Sequence, residues 1–228
     1  MEMLLEQQEK YDMQQAMNCL PKDDTNENYL EPVELRKQIS LLNLQQRRIF
    51  DDVIERVIEN DLEEKPLYLY IAGEAGTGKS FLVQKPIYAI RQVKVKSGRE
   101  LDKPTVIVMA PTANAAFIIR GKTVESALHI NMEEKNSFQK SSRDRMSQMA
   151  FTYEDVAVVL CDELSMLGTN KFIAVNYRLQ EMAQGPKKLM FMGQKSFIAA
   201  GDFRQLPPVL DQMIFEKKHN GWKAFYCT

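Results

Sequence analysis

The chain has 228 residues, of which 44% are hydrophobic and 27% charged, and its formal net charge is -1. These values are ordinary for a folded protein and exclude a polycation, so any surface that binds nucleic-acid phosphates must be local. Three widely separated cysteines, Cys19, Cys161 and Cys227, argue against both a disulfide framework and a zinc site. They predict a reducing, intracellular compartment, and no apolar run is long enough to cross a bilayer.

Residues 1–40 are rich in Gln, Glu, Asp and Asn, which predicts a polar N-terminal extension that is mobile or weakly helical. The pattern changes near Asn43, where apolar residues recur at helical spacing. They predict an amphipathic helix and are Ile49, Phe50, Val53, Ile54, Val57 and Ile58. The folded domain is therefore expected to span residues 41–228.

Short apolar runs further along the chain predict buried strands at Leu67–Ala72, Thr105–Ala110, Val156–Cys161 and Ser196–Ala200. Helices are predicted after Ser80 and over Lys171–Met182. The segments 94–103 and 133–148 are polar, which predicts a solvated loop for the first and loop or disorder for the second. Apolar strands that alternate with helices predict a three-layer α/β fold with a mostly parallel central sheet.

A glycine-rich segment follows the first predicted strand. Its residues fit the phosphate-loop pattern G-x-x-x-x-G-K-[ST] and are Gly73, Glu74, Ala75, Gly76, Thr77, Gly78, Lys79 and Ser80. The glycines let successive backbone N–H groups point at phosphate oxygens, and the positive end of the following helix adds to that field. Lys79 would contact the terminal phosphates, and the Ser80 hydroxyl would bind Mg²⁺. The alternative is a chance match in a glycine-rich turn.

Two carboxylates, Asp162 and Glu163, follow the third predicted strand. In a phosphate-binding site Asp162 would hold Mg²⁺, and Glu163 would orient and deprotonate the attacking water. Taken alone, the pair fits an acidic helix start equally well, because acidic residues commonly begin helices. The phosphate-loop pattern earlier in the chain favours the metal-binding interpretation.

The segment Gly201–Pro208 follows the fourth predicted strand and contains Gln205, which carries both a donor and an acceptor suited to sensing the γ-phosphate or its water. Two prolines fix this loop. From the residues alone, a rigid surface turn is the favoured interpretation.

Five segments in the same order resemble the Pif-one family of superfamily-one DNA helicases, especially versions carried by Helitron-type transposons. The resemblance covers about residues 41–226. The segments are 42–46, 73–80, 110–116 with 121–126, 161–166 and 201–208. It implies a P-loop, RecA-like ATPase lobe and, for the last segment, coupling of the γ-phosphate to DNA rather than a bland turn.

The resemblance also implies roles for individual residues. Gln46 matches the glutamine that reads adenine. Thr112, Asn114 and Ser126 match the segments that contact single-stranded DNA, although hydrogen bonds that cap strand ends and helix starts explain them nearly as well. The family implies ATP-driven movement on single-stranded DNA in the five-prime to three-prime direction, with roles in DNA recombination, DNA repair and the response to DNA damage. A nuclear location is expected, with the mitochondrion as the second possibility.

The chain departs from the family pattern at three residues. Asn114 stands where glycine is usual, and Glu125 stands where histidine is usual. A carboxylate there would repel a DNA phosphate. Pro86 falls inside the predicted helix after the phosphate loop, which predicts a kink or a late helix start.

The family's second motor lobe is also not represented, so ATP binding with at best slow hydrolysis is expected of this chain. Three functions are therefore open: the ATP-binding lobe of a helicase, a nucleotide-dependent binding module or inactive remnant, and a P-loop ATPase of another kind.

Overall fold

The computed structural model describes residues 30–58, 65–96, 103–131, 141–208 and 211–215. Its α-helices are α1 (Pro32–Ser40), α2 (Leu44–Ile58), α3 (Lys79–Lys96), α4 (Ala113–Ile118), α5 (Val124–Leu128), α6 (Arg143–Thr152) and α7 (Thr169–Met182). Its strands are β1 (Tyr68–Ala72), β2 (Val106–Ala110), β3 (Lys122–Thr123), β4 (Val158–Cys161) and β5 (Ser196–Gly201). Short 3-10 helices lie at Leu164–Met166, Gly185–Leu189 and Phe191–Gln194.

The strands form one sheet in the order β1-β5-β4-β2-β3, and every strand pair is parallel. This confirms the predicted α/β fold with a parallel central sheet. The four predicted strands are all present, each within two residues of its expected limits. The additional strand, β3, has only two residues and is too short to produce a sequence pattern.

Helices cover both faces of the sheet and make it the middle of three layers. Alternate residues of the central strands point to opposite faces, as strand geometry requires. In β4, for example, Val158 and Leu160 pack with α1 to α4, whereas Val159 and Cys161 pack with α5 to α7. The strands β2, β4 and β5 are fully buried, which explains why they appear in the sequence as continuous apolar runs.

The end of the predicted extension is folded. Helix α1 begins with Pro32 in its first turn, where proline costs no hydrogen bond, and it buries Leu35, which is 3% exposed. The Lys85 ammonium on α3 donates to Gln38 Oε1 at 2.7 Å. Of the two predicted alternatives, mobile or weakly helical, residues 32–40 are helical, and one buried leucine and one polar contact hold a helix that composition alone does not reveal. Residues 1–29 lie outside the described part.

Helix α3 begins at Lys79 and continues through Pro86, so the late helix start, one of the two predicted alternatives, is wrong. Strong burial of Leu82, Val83 and Ile87 on either side offsets the cost of the missing hydrogen bond. The loop prediction for 133–148 is wrong from Arg143 onward, where Ser142 caps α6. Of the polar segment 94–103, residues 94–96 belong to α3, and 97–102 lie outside the described ranges.

Candidate functional site

The polar segments predicted to act together leave the same edge of the sheet. Strand β1 runs beside β5 with Ala72 opposite Gly201, and β5 runs beside β4 with Ala199 opposite Cys161. Because all three strands are parallel, the residues after their carboxyl ends converge. These are the phosphate-loop segment, the segment that begins at Asp202 and the Asp162–Glu163 pair.

The loop between β1 and α3 wraps around the ammonium group of Lys79. Lys79 Nζ donates to the carbonyls of Gly73 at 2.8 Å and Glu74 at 2.9 Å. Thr77 Oγ1 donates to the Glu74 carbonyl at 2.8 Å. Gly76 and Gly78 have φ values of +75° and +80°, which side chains of L-residues rarely adopt. Glycine is therefore required at these two positions by the backbone shape of the loop. The remaining loop residues, Ala75 and Ser80, lie at its exposed tip and in the first turn of α3.

Gln46 connects this loop to the start of α2. Gln46 N donates to Asn43 Oδ1 at 2.9 Å, and Asn43 N donates to Gln46 Oε1 at 3.1 Å, which makes a reciprocal capping box. Gln46 Nε2 also donates to the carbonyl of Thr77 at 3.0 Å. The residue expected to read adenine thus lies beside the phosphate loop, and both ends of its amide are hydrogen-bonded within the chain.

The two carboxylates occupy a tight turn. Asp162 is 2% exposed, and its Oδ1 accepts the backbone N–H of Glu163 at 3.0 Å. Glu163 is in the left-handed region at φ 51°, which is uncommon for glutamate. Gly201 at the end of β5 lets this turn approach, since a Cβ there would lie 3.1 Å from Leu164 N. Glu163 directly precedes the 3-10 helix Leu164–Met166, but its side chain makes no capping hydrogen bond, so the capping role that the sequence left open is not seen for this side chain.

The ionisable groups that converge at this edge are close enough to interact, and the space that they border is called the cleft. Burial and then the Asp162 charge raise the pKa of Glu163, the Lys79 charge lowers it, and the Asp202 charge raises it further. These four side chains come from the ends of three different strands. The structure therefore brings Lys79 and Asp162 to the same side of the molecule, as the phosphate-site hypothesis requires.

The segment after β5 adds a network that the sequence interpretation missed. Asp202 is buried, and its Oδ1 accepts the backbone N–H of Arg204 at 3.0 Å, which lowers the pKa of Asp202. Gln205 Nε2 lies 3.4 Å from Asp202 Oδ2. Arg204 Nη2 lies 2.9 Å from Glu74 Oε1 in the phosphate loop. The only sequence signal for these contacts was the position of Asp202 and Arg204 beside Gln205.

The residues expected to contact DNA lie farther along the same edge. Thr112 Oγ1 caps α4 by accepting the N–H of Ala115 at 3.2 Å, and Thr123 caps α5 by accepting the N–H of Ser126. Asn114 and Ser126 are exposed. The capping alternative thus holds for Thr112, whose hydroxyl still has a proton to donate. Three strand spacings, about 14 Å, separate β2, which precedes Thr112, from β1 and the phosphate loop, and β3, which precedes Ser126, lies one spacing farther away.

Glu125 stands beside this exposed group and is paired. Its Oε1 lies 2.6 Å from Lys171 Nζ in the first turn of α7, and both side chains are about one-third exposed. The pair neutralises much of the repulsion that a carboxylate would exert on a phosphate. His129 ends α5 in the left-handed region, and its carbonyl accepts a hydrogen bond from Arg178 at 3.3 Å, which gives it a structural role.

A parallel sheet whose first strand leads through a glycine-rich loop into a helix, with two carboxylates at the tip of a nearby strand, defines a RecA-like lobe of the P-loop class. The sequence model of the PIF1-like helicases matches residues 41–222. Because this match covers most of the chain, the chain belongs to the PIF1-like helicase family.

Individual relatives agree with this membership. The ATP-dependent DNA helicase Pif1 of Campylobacter jejuni is 26% identical over 187 residues, which are 77% of this chain and 36% of the relative. The ATP-dependent DNA helicase PIF1 of Saccharomyces cerevisiae strain YJM789 is 30% identical over 194 residues, which are 82% of this chain and 20% of the relative. The chain thus spans about a third of the first relative's length and about a fifth of the second's.

Solved structures show the same fold. The crystal structure of Pif1 helicase from Candida albicans has a TM-score of 0.53 and 24% identity, over 77% of this chain and 36% of that one. Bacteroides Pif1 in complex with ADP-AlF3 and single-stranded DNA has a TM-score of 0.51 and 22% identity, over 74% of this chain and 34% of that one. None of the helices in the described ranges is long and apolar enough to cross a membrane.

Proposed function

We propose that this chain binds ATP with Mg²⁺ and hydrolyses it in response to single-stranded DNA, as the first motor lobe of a DNA helicase that moves five-prime to three-prime. The observation that carries the proposal is the convergence of Lys79, the Asp162–Glu163 pair and Asp202 at the carboxyl ends of neighbouring parallel strands, where they act electrostatically on one another. The relatives are named ATP-dependent DNA helicases, which supports the same conclusion.

The phosphate loop would hold the triphosphate. In this role its backbone from Gly73 to Ser80 supplies N–H groups, and Lys79 exchanges the loop carbonyls for phosphate oxygens, which are stronger acceptors. Gln46 would contact adenine, because its amide reaches the loop from the side of α2. Such contact requires the amide to give up part of its present hydrogen bonding.

The residues at the edge fit a magnesium ion. Mg²⁺ prefers oxygen ligands and usually takes one or two protein groups plus phosphates and waters, which Ser80 and Asp162 would provide. Three carboxylates interact in the cleft, and their mutual repulsion favours a bound cation. Among the residues described, no three His, Cys, Asp or Glu side chains form a metal cage, so the phosphates would complete the site. The ion would neutralise charge that develops on the terminal phosphate.

Glu163 and Gln205 would act on the water that attacks the γ-phosphate. The raised pKa of Glu163 makes its carboxylate a better proton acceptor than an exposed glutamate. Gln205 is tied to Asp202 through its backbone at 2.9 Å and through its side chain, so it lies next to the same cleft. Gln205 would orient this water. When hydrolysis consumes the water, the change in the contacts of Gln205 would be transmitted to the rest of the lobe.

Single-stranded DNA would lie across the exposed surface near Thr112, Asn114 and Ser126. Exposed hydroxyl and amide groups at the start of helices suit contacts to a sugar-phosphate backbone. A Pif1 structure with the same fold was solved with single-stranded DNA, which supports this ligand for the lobe. The intervening strands β4 and β5 would connect the DNA surface to the nucleotide cleft.

A complete motor needs a second lobe that closes on ATP, and the chain spans about a third of its first relative's length. We therefore infer that 41–228 is the first lobe and that unwinding needs the partner lobe. DNA repair and recombination are the processes that the family implies. The relatives include bacterial and fungal proteins, so family membership does not select one compartment, and a nuclear location stays a prediction, as does the Helitron-type origin.

The second candidate is a module that binds nucleotide but does not hydrolyse it. Glu125 favours it, because a carboxylate among the residues expected to contact DNA weakens coupling to DNA even when it is paired with Lys171. The two candidates share the phosphate site and differ in turnover.

Steady-state ATP turnover by the 228-residue chain separates them. The proposal predicts slow, magnesium-dependent turnover that rises when single-stranded DNA is added and is abolished in Lys79→Ala and Glu163→Gln. Binding without turnover, unchanged by DNA, would support the binding module. Equal nucleotide binding by wild type and Lys79→Ala would overturn both.

A further inference from the structure

The phosphate loop carries a negatively charged side chain. Glu74 projects from a loop whose proposed ligand is itself an anion, and its side chain is 69% exposed. A carboxylate at this position repels phosphate unless a cation compensates it. The compensating cation is Arg204, which comes from the segment after β5.

Arg204 bridges two carboxylates on different elements. Its Nη2 lies 2.9 Å from Glu74 Oε1, and its Nε lies 3.4 Å from Asp202 Oδ1. Hydrogen bonding to Asp202 and the charge of Glu74 raise the pKa of Arg204, so the guanidinium stays charged. One exposed side chain therefore joins the phosphate loop to the segment that contains Gln205.

Both partners of Arg204 belong to the proposed nucleotide site. The backbone carbonyl of Glu74 accepts Lys79 Nζ at 2.9 Å, so the residue that Arg204 contacts also touches the phosphate-binding lysine. Asp202, the other partner of Arg204, acts electrostatically on Glu163. The Arg204 guanidinium therefore contacts one residue next to Lys79 and one residue next to Glu163.

The Glu74 contact is weak enough to be exchanged. The Arg204 side chain is 71% exposed, and an ion pair this open to solvent adds little to stability. Guanidinium forms stronger, often bidentate, contacts with phosphate. A γ-phosphate in the cleft would therefore compete successfully with the Glu74 carboxylate.

We propose that Arg204 is a switch cation that leaves Glu74 and binds the terminal phosphate of ATP, so that the Asp202–Gln205 segment distinguishes ATP from ADP. The inference rests on the proposed function, since it assigns a specificity-determining residue to the same nucleotide site. ADP has no γ-phosphate, so Arg204 stays on Glu74 when ADP is bound.

Calorimetric titration of the full chain with magnesium and either a non-hydrolysable ATP analogue or ADP tests this. In Arg204→Ala the affinity for the ATP analogue should fall about tenfold, because a charge-assisted contact is lost, while the affinity for ADP changes less than about twofold. Arg204→Lys should recover part of the difference, because it keeps the charge without the fork. Glu74→Gln should raise the affinity for the analogue relative to the affinity for ADP, because it releases Arg204 from its ion pair with residue 74.

Arg47→Ala is the matched control. Arg47 is also an exposed arginine in an ion pair, with Asp51 at 2.8 Å on α2, and its loss should change neither affinity. Equal weakening of analogue and ADP in Arg204→Ala, or no weakening of either, overturns the inference while the proposed function stands. Absence of nucleotide binding by wild type removes the proposed function and this inference together. Thermal unfolding of each variant confirms that the fold is kept.

Discussion

Gln46 and Thr77 join the first turn of α2 to the phosphate loop through a hydrogen bond of 3.0 Å from the Gln46 side-chain amide to the Thr77 carbonyl. The same glutamine closes a capping box with Asn43. One side chain therefore starts a helix and fixes the shape of the loop on which nucleotide binding depends.

This contact predicts that Gln46→Ala weakens both the fold and nucleotide binding. The free energy of unfolding should fall by about 1 kcal/mol because part of the cap is lost, and ATP affinity should fall because the loop is released. Denaturant unfolding and calorimetry measure the two effects. Asn43→Ala should lower stability alone, and exposed Gln45→Ala should change neither. Equal loss of ATP affinity in Gln45→Ala and Gln46→Ala would argue against the anchor.

We predict that no other residue can replace Gly78 without loss of ATP binding, because of the backbone conformation at this position. Its φ is +80°, and a Cβ there would lie 2.9 Å from Gln46 Nε2. Gly78→Ala should therefore cost about 1–2 kcal/mol of backbone strain and also displace the loop, which abolishes ATP binding. Gly185 is the control, because its φ is +55° in open space. Gly185→Ala should lose comparable stability in thermal unfolding but keep ATP affinity, and loss of binding in both would contradict this explanation.

The lowered pKa of Lys85 predicts that the free energy of unfolding depends on pH. Burial and, to a smaller degree, the Arg120 charge lower the pKa of Lys85 to about 8 against the opposing Glu34 charge. The folded state therefore binds fewer protons than the unfolded chain between pH 8 and the ordinary lysine pKa of 10.5, so this group's contribution to stability rises with pH across that window.

Wild type compared with Lys85→Met isolates that contribution. The free energy of unfolding of wild type, relative to the variant, should increase as pH rises from about 8 to about 10.5, measured by urea titration. A constant difference over this window would mean that the contacts of Lys85 with Gln38 and with the ring of Phe81, 3.8 Å away, offset its burial.

Glu125 is predicted to weaken the contact with DNA. Glu125→Gln removes a carboxylate and frees Lys171, so affinity for single-stranded DNA should rise about threefold and become more sensitive to salt. Fluorescence anisotropy at several salt concentrations measures both. The control is Glu154→Gln, which breaks an exposed pair with Lys103 of 2.8 Å elsewhere. If the affinity for single-stranded DNA rises equally in both variants, the effect comes from net charge and not from the proposed DNA surface.

The elements that the sequence predicted were those with strong, contiguous patterns. Strands β2, β4 and β5 are buried on both faces, so each appears as an unbroken apolar run. Helix α6 was predicted as loop because Met149 is the only residue that it fully buries, which leaves no apolar stripe. Helix α4 has six residues and helix α5 five, which are too few for a period to show.

The candidate site likewise has parts that the sequence could predict and parts that it could not. The phosphate loop and the Asp162–Glu163 pair were predictable because the chemistry requires adjacent residues in a fixed order. The bridge from Glu74 to Arg204 was not predictable, because it joins residues 130 positions apart through an approach of strands that only the fold produces. The capping role of Thr112 was one of two alternatives that the sequence could not separate.

The central claim is that Lys79 and Asp162 serve one Mg²⁺-ATP site. Calorimetric titration of the chain with a non-hydrolysable ATP analogue, with and without Mg²⁺, tests it most directly. The account predicts magnesium-dependent binding by wild type, loss of at least about tenfold in Lys79→Ala, and loss of the magnesium dependence in Asp162→Asn. Binding that is equally tight in all three proteins, or indifferent to Mg²⁺ in wild type, would contradict it.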